Sequence, residues 1–542
     1  MEQRDSSRPT GPGPAWYRRR GVLITAGLVL VAGLLVGGYT YVAGDGDPTK
    51  DTAQTGPTGT GSAQPVTAPT APPAKICGNK AALSGPSTAP AGAVTVATTQ
   101  NLNEITEASP AGTTFWLVAG THKLGVGPFA QVIPKEGNVY LGAPGAILDG
   151  QKNNRYAFTG YVANVTVKNL TIQNFGAPKT NSDEGVVNHN AATGWKVEGN
   201  TIRENAGAGV MVGSRNLIRG NCLEDNGQYG FNAYSPNKVT SIVIENNEIA
   251  GNNKDDWETL KPGCGCTGGG KFWETTGAVF RSNWVHNNNS AGIWADTNNA
   301  GFAIEGNYFS ENTSEAIVYE TSYNASIRAN TFARNGLGKG PGNGGFPTSA
   351  VYISESGSDK RVASEFNETF EITGNLFTDN WAGVILWENA DRFAGSPANT
   401  STGSGTLVNP KTVTVKTCNA TTISKQPYIG DCRWKTQNVR VHDNVFSLDP
   451  DKIGKSCASR SGCGYNGLFS NWGTFPAWSP YKEKTIQDAI TFDQSNRFYS
   501  NTYGGPWNFV VHGQGTRVNW SAWQGAPYDQ DRDSVIKVQG QR

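Results

Sequence analysis

Seven short strings in the 542-residue chain align on a small residue. They read GVMVGS from Gly209, GFNAYS from Gly230, GKFWET from Gly270, GIWADT from Gly292, AIVYET from Ala316, AVYISE from Ala350 and VILWEN from Val384, with a late copy, GLFSNW, from Gly467. If each string is a strand, side chains alternate between two faces. The second position then points inward (Val210, Phe231, Ile293, Ile317, Val351, Ile385), and the third and fifth point outward. The fifth position holds Glu274, Asp296, Glu320 and Glu388, and the third holds Phe272, Trp294, Tyr352 and Leu386. Glu274, Asp296 and Glu320 would stand on successive rungs ~4.8 Å apart. Like charges that close resist joint ionisation. Either one carboxyl stays protonated or a cation such as Ca²⁺ neutralises the row. A protonated carboxyl can donate to a glycosidic oxygen. A carboxylate-bound Ca²⁺ can acidify the proton beside a uronate carboxylate for β-elimination.

Other residues extend this candidate site. In NWVHNN from Asn283, Trp284 and His286 face outward on the rung that carries Trp294 and Asp296. His286 is one of five histidines and suits a general base or a hydrogen-bond partner. Lys271 occupies a column otherwise filled by Ile or Val, so it pairs with a neighbouring acid or marks an irregular rung, and it is a candidate catalytic cation. Trp284, Trp294, Tyr352 and Glu388 are the expected substrate contacts. The insertion from Asn252 to Gly269 precedes this rung and could wall a groove, with Trp257 as a sugar platform or loop packing. Trp273 and Trp387 fall in an inward column and read as core.

The element that must position these residues is a repeat. NTIREN from Asn200, NCLEDN from Asn221, NEIAGN from Asn247, NWVHNN from Asn283, NYFSEN from Asn307, NTFARN from Asn330 and NLFTDN from Asn375 recur, with weaker copies NVFSLD from Asn444 and NRFYSN from Asn496. The leading asparagines of the first seven are 21, 26, 36, 24, 23 and 45 residues apart, which suggests one rung plus loop insertions. Each string has a bulky apolar residue two after its asparagine, as a short strand with one buried face requires. An asparagine at a bend tolerates the left-handed region, and stacked copies can bond one another. The predicted fold is all-β: a single-stranded right-handed parallel β-helix with an asparagine ladder.

Residues 21–43 carry no charge and are long enough to cross a bilayer. Arg18, Arg19 and Arg20 precede them, so the positive-inside rule places 1–20 in the cytoplasm and the rest outside. The alternative is secretion after signal cleavage, for which the small-x-small pattern before Ala43 is poor. Residues 44–90 read as a Pro/Thr/Gly-rich linker and 91–542 as the β-helix with a C-terminal cap built on PWNF at Pro506 and NWSAWQ at Asn519. Lysine plus arginine is 45 and aspartate plus glutamate is 44, a balance that argues against a nucleic-acid partner. All eight cysteines follow the apolar segment, as disulfides in an oxidising compartment would; Cys457 with Cys463 and Cys418 with Cys432 are the expected local pairs. A monomer is expected.

The asparagine strings, GTTFWLVAGTH from Gly112 and GAPGAILDG from Gly142 resemble right-handed β-helix repeat proteins of the pectate-lyase-like superfamily. The resemblance implies a polysaccharide partner. It leaves open a lyase, a glycoside hydrolase, an epimerase, or a non-catalytic glycan-binding or structural surface protein. The arginine motif of pectate lyases and the paired-aspartate motif of polygalacturonases are not found.

Overall fold

A computed structural model describes residues 66–343, 346–361, 369–390, 392–394, 396, 412–459, 462–471, 477–513 and 516–537. The predicted tail 1–20, span 21–43 and linker residues 44–65 lie outside them. Among the described residues no helix is long and apolar enough to cross a membrane.

The chain winds through three sheets. Sheet 1 has 13 strands, from Val94–Val96 to Arg497–Tyr499, and sheet 2 has 13, from Gly120–Lys123 to Val535–Lys537. Sheet 3 has 11 strands and begins at Gly185–Val187. One coil runs Thr275–Arg281 in sheet 1, Trp284–His286 in sheet 2 and Ile293–Ala295 in sheet 3, and each strand pairs in parallel with its equivalent one coil on. The closing Arg517–Val518 strand is antiparallel. The residue two after each leading asparagine points into the tube. Phe309, Phe332, Phe377, Phe446 and Tyr503 stack there with centroids 5.3, 4.8, 4.5 and 4.9 Å apart.

Two asparagine ladders hold the bends on either side of sheet 2. The leading residues form one, through Asn247, Asn283, Asn307, Asn330, Asn375, Asn444 and Asn501. The closing asparagines of the same strings form the other, through Asn226, Asn252, Asn288, Asn312, Asn335 and Asn380. Each amide spans three coils. Asn283 Nδ2 donates to the Ile244 carbonyl (2.9 Å) and to Asn307 Oδ1 (3.0 Å), and its Oδ1 accepts from the Asn247 backbone N–H (3.0 Å). The left-handed residue is not the ladder asparagine, as expected, but the one before it: Asn246, Ser282, Ala329 and Asp443 have φ near +53°. That residue turns the chain, so the next side chain can point inward. The string NRFYSN is a sheet 1 strand; the ladder residue of that coil is Asn501.

The small residue before each sheet 3 strand also has a cause. A Cβ on Gly269 would lie 2.7 Å from Asn288 Nδ2, and one on Gly209 would lie 3.1 Å from Asn226 Nδ2, so the second ladder excludes bulk there.

Residues 66–90, expected as linker, are docked. Thr331 Oγ1 donates to the Pro69 carbonyl, the Cys77–Cys222 disulfide ties the segment to sheet 2, and Asn169 Nδ2 donates to the Leu83 carbonyl. This strap runs along the tube, opposite to the direction of coiling. At the far end Trp523 packs over Phe509 and Phe498 and donates to the buried Asp531 (2.7 Å), the cap expected from the tryptophan-rich tail.

The ladder sets a stability prediction. Asn283→Ala leaves the Ile244 carbonyl and the Asn247 N–H buried without partners, and should cost about 3 kcal/mol or more in denaturant unfolding. Asn246→Gly, at an exposed left-handed position, should change stability by no more than about 0.5 kcal/mol.

Candidate functional site

The predicted acid column divides between two columns. Phe231 pairs with Gly270, not Lys271, and Val351 pairs with Val384, not Ile385. The run Gly268-Gly269-Gly270 offers three registers, and Gly269 is the residue against the ladder; in the later coil the residue that matches Ala350 is Gly383, not Val384. Both strings therefore slip by one, which moves every side chain to the other face. Asp296 and Glu320 share a column with Trp273, Ser354 and Trp387. Glu274 and Glu388 fall one residue further on, in the column of Thr297, Thr321 and Glu355, where Glu274 (φ +47°) and Glu355 (φ +45°) turn the chain.

The slip corrects several expectations. Phe272 and Leu386 lie in the tube interior, while Trp387, expected inside, lies on the outer face. Lys271 also points outward, and its ammonium pairs with Asp296 on the next coil at 3.0 Å and donates to the Gly265 carbonyl at 2.7 Å. Trp294 and Tyr352 do face outward, as expected, but the insertion at 335–348 lays Phe346 against Tyr352 at 5.7 Å and buries both rings. Trp257 is buried as well, with Lys261 5.1 Å from its ring.

Trp284 and His286 lie on sheet 2, away from Trp294 and Asp296 on sheet 3. They stack at 4.0 Å, and His286 Nε2 meets Glu248 at 3.1 Å. Glu248 also accepts from the Ile76 and Cys77 backbone N–H groups (2.6 and 2.8 Å). Burial raises its pKa, but the bonds from His286 and the strap outweigh that and hold the carboxyl low. The imidazole thus supports the clamp on the strap.

Glu320, Glu355 and Glu388 are buried and matched by arginines that follow the sheet 3 strands. Trp294 Nε1 donates to Glu320 Oε2 (3.1 Å), and Arg392 bridges Glu320 and Glu355. Burial pushes the Glu355 carboxyl up to about 7 against the opposing pull of Arg392. Glu388 meets Arg433, accepts from the Thr436 N–H (2.6 Å) and accepts from Gln494 Nε2. Burial raises its pKa too. Glu274, Asp296 and Glu320 do not converge on one point. Among the described residues the single converging group of metal-ligand types is Cys77, Cys222 and Glu224, whose cysteines form a disulfide. Both predicted local disulfides are present, with a fourth between Cys264 and Cys266.

Two cavities flank this covered face. The larger, about 390 Å³, opens between the insertions at 426–438 and 481–495, beyond the end of sheet 3. Its walls include Arg433, Lys435, Tyr481, Gln437, Asn438 and Gln494, and Asp493 is the sole carboxylate in the lining among the described residues. Glu388 lies directly beneath and fixes two of these walls, since Arg433 Nη2 also donates to Gln494 Oε1 (2.9 Å). Arg433 further sits 5.4 Å over the Tyr481 ring. Lys435 Nζ has no hydrogen bond or ion pair among the described residues, and burial followed by the nearby Arg433 charge lowers its pKa. Neither Arg433 nor Lys435 was legible as a site residue, because both sit in an insertion outside the repeat.

The smaller cavity, about 100 Å³, lies on the opposite flank, between the insertions at 252–269 and 335–348, with Trp294 and Val318 in its lining. Glu315 faces it and is 1 % exposed. Its Oε2 accepts from Ser314, whereas its buried Oε1 has no partner. Burial pushes this carboxyl up to about 7.

Removal of Arg433 should show how the first cavity is held. Arg433→Met strands the Glu388 charge and should cost about 3–5 kcal/mol in chemical denaturation, and the double change with Glu388→Gln should recover more than half of that loss.

Comparison with known proteins bears on the fold. The family model described as a right handed beta helix region matches residues 150–264, 184–364 and 278–401. No curated protein matches the sequence. Among solved structures, the A-module of the Azotobacter vinelandii mannuronan C-5 epimerase AlgE6 is similar at 14% identity and TM-score 0.46, over 81% of this chain and 94% of that one. The catalytic unit of a GH87 alpha-1,3-glucanase from Streptomyces thermodiastaticus follows at 12% and 0.44, over 81% and 72%. An alginate lyase from Paenibacillus sp. is similar at 13% and 0.31, over 54% and 90%. The matched family model and the parallel sheets stacked coil on coil make this chain a right-handed parallel β-helix protein.

Proposed function

We propose that the chain is an extracytoplasmic polysaccharide-active protein, anchored through residues 21–43, that acts as a lyase on an acidic polysaccharide in the cavity at Arg433 and Lys435. The observation that carries this reading is Lys435, whose Nζ has no hydrogen bond or ion pair among the described residues, beside a guanidinium that Glu388 holds in place. The Arg433 guanidinium and a ring of amides suit a uronate carboxylate and its hydroxyls, with Lys435 beside them. Burial and the neighbouring Arg433 charge lower the Lys435 pKa, so its ammonium gives up a proton more readily than an exposed lysine does, and the neutral amine is the base. Its Nζ would take the proton at C5, the electron pair would form the C4–C5 double bond, the C4–O bond would break, and the departing oxygen would be protonated by solvent. Return of a proton to C5 from the other face would give an epimerase instead. Hydrolysis fits less well, because it calls for two carboxyls across the scissile bond and Asp493 is alone in the lining. A second reading, glycan binding without turnover, is favoured by the covered face of sheet 3, which leaves no open groove over Trp294 and Tyr352.

The test is incubation with uronate polymers and neutral glycans, with Ca²⁺ or EDTA, following unsaturated ends by absorbance and reducing sugar in parallel. Lys435→Ala should lower turnover by about 10²-fold or more at unchanged stability. Activity of the native chain should rise with pH through the lowered pKa of Lys435, as the base form is populated. The EDTA arm tests the calcium requirement. Full turnover in Lys435→Ala, or reducing ends without unsaturation, sinks the lyase reading; binding without turnover on every polymer favours the second.

A further inference from the structure

The smaller cavity carries an inference independent of the lyase reading. Its lining holds three carboxyl groups, Asp256, Glu258 and Glu315, against one ammonium, Lys339, a balance of two negative charges when all are ionised. Acidic residues gathered in a cleft are common and mean little alone. Glu315 differs from them. It is almost fully buried, it faces the cavity, and its Oε1 lacks any partner among the described residues. A buried acceptor without a donor costs stability, and Glu315 is one of the residues that line the cavity. Trp294 is in the lining, and the Lys271 ammonium 4.9 Å from its ring centroid is paired with Asp296.

We propose that this cavity is a binding site for a primary ammonium group, which pairs with Glu315 and sits among Asp256, Glu258 and Trp294. At about 100 Å³ it holds the ammonium and the few atoms attached to it, not a length of polymer. The same chemistry comes from two sources, an amino sugar unit or an aliphatic polyamine. No bond is made or broken. Binding is coupled to a proton: Glu315 must ionise to form the pair, so affinity rises with pH as its carboxyl passes through about 7. Asp256, Glu258 and Lys339 are the other titratable groups that face the cavity.

The experiment is calorimetric titration of the full chain with glucosamine, putrescine, N-acetylglucosamine and glucose, and for putrescine at pH 5.5, 6.5 and 7.5. Expected is binding of at least one amine and none of the two neutral sugars, with putrescine or glucosamine the tighter according to the source. Putrescine affinity, if present, should increase on the order of tenfold across that pH range. Glu315→Gln, which removes the charge at constant shape, should weaken amine binding on the order of tenfold and abolish the pH dependence, while uronate turnover at the Lys435 cavity is kept. Equal binding of glucosamine and N-acetylglucosamine, no binding of either amine, or full affinity in Glu315→Gln overturns the proposal. Should that variant fail to fold, a flat pH profile for the native chain overturns it by itself.

Discussion

The structure depends on a buried amide. At each bend beside sheet 2 the chain turns through a left-handed residue, and the asparagine that follows sends its side chain into the tube. There one amide satisfies a carbonyl of the previous coil and the amide of the next, as Asn283 does for Ile244 and Asn307. A parallel solenoid has many tight corners, and each corner removes backbone groups from water. An asparagine carries both donor and acceptor at the length needed to reach across ~4.8 Å. That constraint also keeps the sheet 3 corner small, since Gly209, Gly230 and Gly269 face the second ladder.

With the corners fixed, variation is pushed into insertions. They leave from both ends of the sheet 3 strands, at 252–269 and 335–348 on one flank and at 426–438 and 481–495 on the other. Their side chains fold over the outer face, and Phe346 against Tyr352 is the clearest case. The surface that a bare β-helix would present as a groove becomes a second apolar cluster, and openings survive at its two margins.

Covering the face buries its acids, and burial dictates the charge pattern. An isolated buried carboxylate is costly, so each acid is either paired or protonated. Asp296 takes Lys271, Glu320 takes Arg392, and Glu388 takes Arg433. Glu315 has no cation and is instead pushed up to about 7. Lys435, which has no ion pair among the described residues, lines the larger cavity. Structural pairing and candidate chemistry thus arise from the same desolvation, and what separates them is whether a partner is in reach.

The repeat was legible in the sequence because period and composition are local properties. N-x-apolar strings announced the ladder and the interior stack from Phe309 to Phe446, and the strings aligned on a small residue gave the outward direction of Trp294, Tyr352, Asp296 and Glu320. The second ladder was in plain sight as the closing asparagine of the same strings, though the strings were read from their first residue alone. Register was not legible at Gly268–Gly270 or at Val384, since a glycine run and a small-looking valine each fit more than one alignment. The choice falls to the coil above, where a Cβ either meets Asn288 or does not. Partners were not legible either. Arg392 lies 72 residues from Glu320, and Arg433 lies 45 from Glu388. The sequence by itself determined the solenoid, because stacked coils repeat one local rule. Only the tertiary structure decided what covers sheet 3 and where it stays open, because insertions follow no period and are placed by contacts across coils.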